Sequence, residues 1–581
     1  MFFVLFMIDL SLVKAQGFDE TWLLGYHSTP NDTTFGGTKI DFRESPPVLS
    51  YMYNDMNFFE TNASISDSTG TLQFYTNGIY VSNKDNAPMP NGMGLNPGQP
   101  AIDFHYTGYI LDQGAFIIPI PGDLKKYYLI HADFKYSTSD LSAHSPHLYY
   151  TVVDMSLDGG LGDVVQKNQV VVNDTLGLGK LTCVRHANGR DWWLLVHEFS
   201  SKGYYRYLIT PNGIQGLEKG STSFAGPEEG LGQGCFSPDG SFFARINSFS
   251  FSDGPLVDVY SFDRCSGYLF DQVQINLQEE YPNTAGLAIS PNSRYLYVSS
   301  FLNVYQFDLW APDIPASKVK VAEWDGFTDG NIETLFYLAQ LAPDGKIYIC
   351  STSSPRYLHV INQPNRPYPY CDVQQHGVHL PTRNSVSLPN FPNYRLGPLD
   401  DSPCDTLGLD NHPVAKYRYD QDTSSYLHIS FTDLSYYAPT SWSWDFGDGS
   451  SSNEPSPEHT FPSDGTYDVC LTVSNANSSN TFCRTLIIGT GISEVADASK
   501  SNLITVFPNP AREATNVILS DYLPQHAVLY LHTATGQLIH QQRIGFGWNN
   551  VPLEGMAPGL YFYEVKDAGR LLGSGKLVVI K

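Results

Sequence analysis

Two histidine pairs are the first residues whose spacing invites a chemical reading. His144-Ser145-Pro146-His147 and His376-Gly377-Val378-His379 set two imidazoles three apart, a spacing that gathers metal ligands on a helix but sends them to opposite faces of a strand. Neither has the His-Glu-x-x-His form of a helical zinc site, so both are read as solvated or hydrogen-bonded loop histidines. Asp445 and Asp448 could hold calcium, a hard cation that takes carboxylate oxygens; the simpler reading is that they stabilise the turn Gly447-Asp448-Gly449. Gly573-Ser574-Gly575-Lys576 has the end of a phosphate-binding loop, but the first Gly of that motif falls on Arg570 and the segment leads into a strand, so no nucleotide site is expected. Arg185-His186 either faces an axial funnel or serves the neighbouring turn, and the structural role is preferred. There is no Gly-x-Ser-x-Gly elbow, and the carboxylates are too numerous to single out the pair at defined separation that a glycosidase needs. The sequence therefore assigns no catalytic residue, no cofactor-binding residue and no cofactor, and leaves metal binding undecided.

The elements that must position such residues are set by a recurring phrase. Phe236-Ser237-Pro238-Asp239-Gly240, Ile289-Ser290-Pro291-Asn292-Ser293 and Leu341-Ala342-Pro343-Asp344-Gly345 each join two apolar runs. Pro presets the backbone for the second turn position, Asp suits the third, and Gly can take positive φ, so each phrase reads as a hairpin. Gly240, Ser293 and Gly345 are separated by 53 and 52 residues, and weaker copies at Gly70, Gly122 and Gly189 extend the series upstream with steps of 52, 67 and 51. Further extended runs end in Asp at Asp154, Asp263 and Asp308. A unit has room for about four short strands, and roughly 380 residues at this step give about seven units, the content of a β-propeller. A solenoid or an array of β-sandwiches is the alternative. Thr21-Tyr26 or Gly37-Phe42 is expected to complete the last blade, since an unpaired edge exposes backbone donors and acceptors.

Composition agrees with an all-β chain of several domains. Only 16% of the 581 residues are charged, 13% are aromatic, and Gly (49) and Pro (38) are abundant. The net charge of -25 argues against nucleic acid and anionic membranes as partners. Residues 504–581 carry six Lys and Arg against five Asp and Glu, which leaves -26 on the rest and marks the tail as a separate module. Residues 1–16 read as a secretory signal peptide without the usual basic start, and no other stretch is apolar enough to span a bilayer. Among eight cysteines, Cys470 with Cys483 is the leading disulfide candidate and Cys371 with Cys404 a second.

Three resemblances follow from particular phrases. Ala63-Ser64-Ile65-Ser66-Asp67-Ser68-Thr69-Gly70, Val184-Arg185-His186-Ala187-Asn188-Gly189 and Leu388-Pro389-Asn390-Phe391 resemble the propeller-like N-terminal region of large secreted Bacteroidetes surface proteins, which implies architecture and export but no activity. Ser441-Trp442-Ser443-Trp444-Asp445-Phe446-Gly447-Asp448-Gly449, followed by Gly465-Thr466-Tyr467-Asp468-Val469-Cys470, resembles a polycystic-kidney-disease-type (PKD) domain, a small β-sandwich that in its family acts as a spacer or weak binding module. Val506-Phe507-Pro508-Asn509-Pro510, Gly559-Leu560-Tyr561 and the terminal Lys581 resemble the C-terminal sorting domain of the type IX secretion system. That resemblance implies recognition by the outer-membrane translocon, removal, and release of the cargo or its attachment to surface lipopolysaccharide.

The expected plan is thus all-β, a seven-bladed β-propeller followed by two small β-sandwiches: signal peptide 1–16, propeller 17–400, PKD-like domain 404–489, linker 490–503 and sorting domain 504–581. The expected partners are the type IX secretion machinery and a glycan or protein ligand, with no nucleic acid and no membrane span in the mature chain. The chain should be exported through the periplasm and outer membrane to the surface or medium. The favoured function is a binding or adhesion protein; the alternative is a secreted polysaccharide- or peptide-degrading enzyme with its site in the propeller funnel.

Overall fold

Each of the six predicted turns joins the first two strands of a sheet. In the computed structural model, Gly70, Gly122, Gly189, Gly240 and Gly345 have φ between +74° and +83°, and Ser293 has +61°, the conformation for which a residue without Cβ carries least strain. Ser293 is held there from outside, because its Oγ accepts the Asp239 amide of the preceding turn at 3.0 Å. The structure describes residues 17–29, 34–136, 143–223, 230–247, 255–278, 285–421, 425–488, 504–507, 511, 514–519, 527–533, 537–545, 547–553, 555–567 and 570–579. The expected signal peptide and the whole of the expected linker lie outside these residues. The chain divides into two compact units, Met1–His27 with Gly37–Thr490 and Ser28–Gly36 with Gly491–Lys581.

Among the described residues between 17 and 379, seven small antiparallel sheets follow one another along the chain, with a two-stranded ribbon between the last two. Their first strands are Thr21–Gly25, Ala63–Ser66, Ala115–Ile120, Cys183–Arg185, Gly234–Phe236, Ala285–Ile289 and Phe336–Leu341. Most sheets run in simple sequential order, as in Gly234–Phe236, Phe242–Asn247, Leu256–Phe262 and Leu269–Asn276. The runs ending in Asp154, Phe262 and Asp308 are third strands. Burial falls from the first strand outward: Ala63–Ser66 is buried throughout, whereas Pro88–Met93 of the same sheet alternates with solvent. The first strands adjoin one another, second against third, fifth against sixth and sixth against seventh. Because neighbouring strands are antiparallel, each turn stands at the end of its sheet opposite the start of the first strand, and three of them, at Pro238, Pro291 and Pro343, line one cavity.

Thr21–Gly25 does not complete the last sheet. It pairs with Gly37–Asp41, which pairs with Val48–Met52, to form a sheet of its own. The seventh sheet already has four strands, Phe336–Leu341, Ile347–Ser351, Tyr357–Ile361 and Val373–His379, so the join between first and last is made by side chains instead. Trp22 lies edge-on to Tyr348 at 5.7 Å, and the hydroxyls of Thr38 and Thr382 are 2.8 Å apart.

After His379 the chain joins no sheet for many residues and passes among the first strands. The Asn390 amide group donates to Ala115 O at 3.0 Å and Leu181 O at 2.8 Å and accepts from Gln113 at 3.2 Å, while its backbone N–H reaches Asn62 O at 2.9 Å. Tyr394 donates to Ile117 O at 2.6 Å, and Asn393 to Pro238 O at 2.6 Å. One short segment thus satisfies carbonyls of the third sheet, of the residues just before the second and fourth sheets, and of the first turn of the fifth.

Residues 411–488 form two sheets, one of Tyr417–Gln421, His428–Asp433 and Glu458–Thr460, the other of Ser451–Ser452, Ser441–Asp445, Gly465–Ser474 and Ser479–Ile488. Tyr417 and Phe431 of one share a core with Trp444, Val469 and Leu471 of the other. Cys470 and Cys483 face each other in register and are disulfide-bonded. Cys404 bonds Cys265 rather than Cys371. The cause is local: the turn bearing Cys265 lies against the departing chain, with Arg264 donating to Gly397 O at 2.5 Å, while Cys371 is buried within the seventh sheet's core. In the second unit, Ala527–Thr533, Leu538–Arg543, Gly559–Asp567 and Arg570–Val579 make one sheet and Ile504–Phe507, Ala514–Leu519 and Gly547–Pro552 another.

Candidate functional site

The residues singled out in the sequence are dispersed. Both histidine pairs stand on strands, Ala143–Asp154 and Val373–His379, and not in loops. His147 takes Asp133 at 2.8 Å while His144 rests edge-on against Phe199; His376 takes Asp325 at 3.0 Å while His379 packs on Tyr357. His144 and His147 have different neighbours, as the two-residue period of a strand requires, whereas an irregularity with His376 at φ +43° leaves both His376 and His379 against Tyr357, at 6.2 and 4.8 Å. Arg185 is buried with its guanidinium 3.8 Å from the Trp192 ring centre, and His186 accepts the Asn188 amide at 3.0 Å, so both serve the turn around Gly189. Gly573-Ser574-Gly575-Lys576 lies inside the strand Arg570–Val579.

Asp445 and Asp448 brace their turn. Asp445 accepts Gly447 N at 3.0 Å, and Asp448 accepts Ser450 N at 2.9 Å and pairs with His459 at 2.8 Å. Burial alone would raise the Asp448 pKa, but the Ser450 and His459 hydrogen bonds hold it below the ordinary carboxylate range.

Two regions gather chemistry that the sequence did not single out. At the end of the sheets opposite the turns, Asp112 is fully buried and accepts the Tyr337 hydroxyl through both oxygens, at 2.7 and 2.9 Å. Glu60 is close enough for the charge of Asp112 to oppose its ionisation. Burial, and then the charge of Asp112, raise Glu60 far above its usual range; burial raises Asp112 against the Tyr337 hydrogen bond and the Lys180 charge. Gly179 permits the approach of this backbone, since a Cβ there would lie 1.9 Å from Asp112 O. Glu60, Asp112 and Lys180 each stand three residues before a first strand, so superposing the repeats in that phase would have found them.

For a carboxyl whose folded pKa is raised, the folded state favours the protonated form, and stability falls as pH climbs from the unfolded value through the folded one. Glu60→Gln should therefore leave stability unchanged below about pH 4 and raise it increasingly towards pH 8, with a flatter pH profile in urea titrations. Parallel profiles for the two proteins would show that this pair is not the source of the slope.

The second region is a cavity of about 580 Å³ at the turn end. Its walls are the first strands of the fifth, sixth and seventh sheets with their turns, the segment Phe391–Leu396, and the loop Asp433–Pro439. That loop is fixed by contacts around it: Arg418 donates to Asp344 O at 3.0 Å and Asn362 O at 2.9 Å, Lys346 meets Asp420 at 3.0 Å, and Lys416 pairs with Glu20.

Comparisons with known proteins identify two modules. A family model described as PKD domain matches residues 411–487, and one described as secretion system C-terminal sorting domain matches residues 505–580. The PKD1 domain of Vibrio anguillarum Epp is 30% identical, over 14% of this chain and 99% of its own, with a TM-score of 0.13. The PKD1 domain of the Vibrio cholerae metalloprotease PrtV is 29% identical, over 13% and 98%, with a TM-score of 0.13. A protein from Lactobacillus plantarum is 11% identical over 64% of this chain and 99% of its own, with a TM-score of 0.38.

Proposed function

We propose, for a chain that belongs over residues 411–487 to the PKD-domain family and carries over residues 505–580 a secretion system C-terminal sorting domain, that it is a displayed binding protein built on a propeller. The sorting domain makes it a secreted or cell-surface protein delivered by type IX secretion. Among the described residues, no helix is long and apolar enough to cross a membrane. In this reading the seven sheets are the blades of a propeller over residues 17–400, residues 404–489 are a β-sandwich spacer, 490–503 a linker, and 504–581 the export module.

One observation supports the binding reading over the enzymatic one: the segment around Asn390 lies against the first strand of the third sheet and the residues just before the fourth, and the charged groups lining the space left beside the fifth, sixth and seventh are already engaged by hydrogen bonds of their own. The end opposite the turns bears side chains suited to a ligand, with Tyr106 78% exposed, Ile102 64% and Tyr136 60%. Apolar and aromatic groups held at that exposure fit a glycan or a protein surface. The enzymatic reading draws on Glu60 and Asp112, but Asp112 has no exposed surface.

Truncation after residue 503 should hold the protein in the periplasm, with none at the surface by fractionation and immunodetection; surface delivery of the truncated chain would refute the export assignment. The double variant Tyr106→Ala and Tyr136→Ala should weaken capture on glycan and protein arrays about tenfold or more. A full chain that binds no ligand of any class would sink the display reading.

A further inference from the structure

The turn-end cavity is a candidate ligand site distinct from the exposed aromatic side chains at the other end. Its size lies within the roughly 300–1,000 Å³ of small-molecule sites. Most of its wall is apolar, including Phe236, Leu287, Ile289, Phe391 and Leu434.

Its charges decide what it can hold. The charged lining residues are Asp19, Asp239, Asp433 and Arg395. Arg395 is committed to Asp19 by two hydrogen bonds of 2.6 and 2.5 Å, with Glu20 3.5 Å away. Asp239 is engaged by Ser237 and by the Ser241 amide, and Asp433 by the Ser435 amide and the Trp442 indole. An anion would therefore meet three carboxylates and one guanidinium already neutralised. A cation would meet carboxylates whose hydrogen-bonding capacity is largely taken up in bracing their own turns.

We propose that this cavity binds a neutral, largely apolar small molecule. Gln340 supplies the principal polar contact: it lies in the wall, and among the described residues its amide nitrogen reaches just the neighbouring Leu341 O, at 3.1 Å. The PKD domain is then part of the site, because Asp433–Pro439 forms one wall. The Cys183 and Cys235 thiols, which also line it, stay protonated, since burial pushes both above the ordinary thiol range. They add to the apolar surface.

The test uses the full chain and two fluorescent probes, neutral N-phenyl-1-naphthylamine and the anion 8-anilinonaphthalene-1-sulfonate. The neutral probe should bind saturably and the anion about tenfold more weakly or not at all. Gln340→Trp fills the cavity and should reduce binding of the neutral probe about tenfold or more with the unfolding midpoint unchanged. Ala342→Leu, a smaller filler on the adjacent turn, should reduce it in the same direction if the Trp variant fails to fold. No saturable binding of the neutral probe, equal binding of the anion, or full binding by a folded filled variant would each overturn the proposal. None of these readouts depends on export or on a ligand at the opposite end.

Discussion

Asn390→Asp should destabilise the first unit by about 3–5 kcal/mol, more than any surface substitution, because it leaves buried carbonyls without their donor. The native amide gives both of its N–H groups to carbonyls, Ala115 O and Leu181 O, and takes the Gln113 amide on its oxygen. A carboxylate of the same shape would set negative charge against two carbonyl oxygens. Asn390→Leu keeps the volume and loses the donors, so its cost should fall below that of Asp but above about 2 kcal/mol. The order Asn, Leu, Asp in urea midpoints checks the assignment. If Leu proved neutral, the amide would not be what ties these first strands together.

Removing the Cys265–Cys404 disulfide should cost about 3–5 kcal/mol, since it closes a loop with a sequence separation of 139 residues. Either single Cys→Ser variant should cost as much as the double variant, because one bond is lost in each case. The bond stands beside the contact of Arg264 with Gly397, where the chain leaves the sheets for the PKD domain. Limited proteolysis should therefore open the variants first between residues 397 and 411. A double variant that costs much more than either single one would point to separate roles for the two thiols.

What could be read from the sequence was what repeats or what lies close along the chain. The Pro-Asp-Gly turns were legible because each is decided by three adjacent residues, and their spacing marked the sheets. Cys470 and Cys483 were legible because two neighbouring strands bring them into register. Long-range choices were not legible. Cys404 meets Cys265 through a turn packed against a distant segment, which no spacing reveals. Thr21-Tyr26 or Gly37-Phe42 was expected as a closing strand because an edge needs a partner, yet the seventh sheet supplies four strands of its own. The histidines at 144, 147, 376 and 379 were expected in loops because they lack the helical His-Glu-x-x-His form, but they stand on strands paired with their neighbours. Glu60 and Asp112 were hidden among 59 acidic residues, and only their common phase ahead of a first strand sets them apart.

The passage of Leu388–Tyr394 among the first strands fixes an order of assembly. Asn390 donates to residues 275 and 209 positions earlier in the chain, so those carbonyls must wait, solvated or unpaired, until the late segment arrives. Contacts of such sequence separation slow folding. A chain still emerging from the ribosome or the inner membrane cannot reach its final packing until about residue 395 has cleared. The carbonyls of Ala115 and Leu181 are therefore satisfied only after nearly four hundred residues are available to fold.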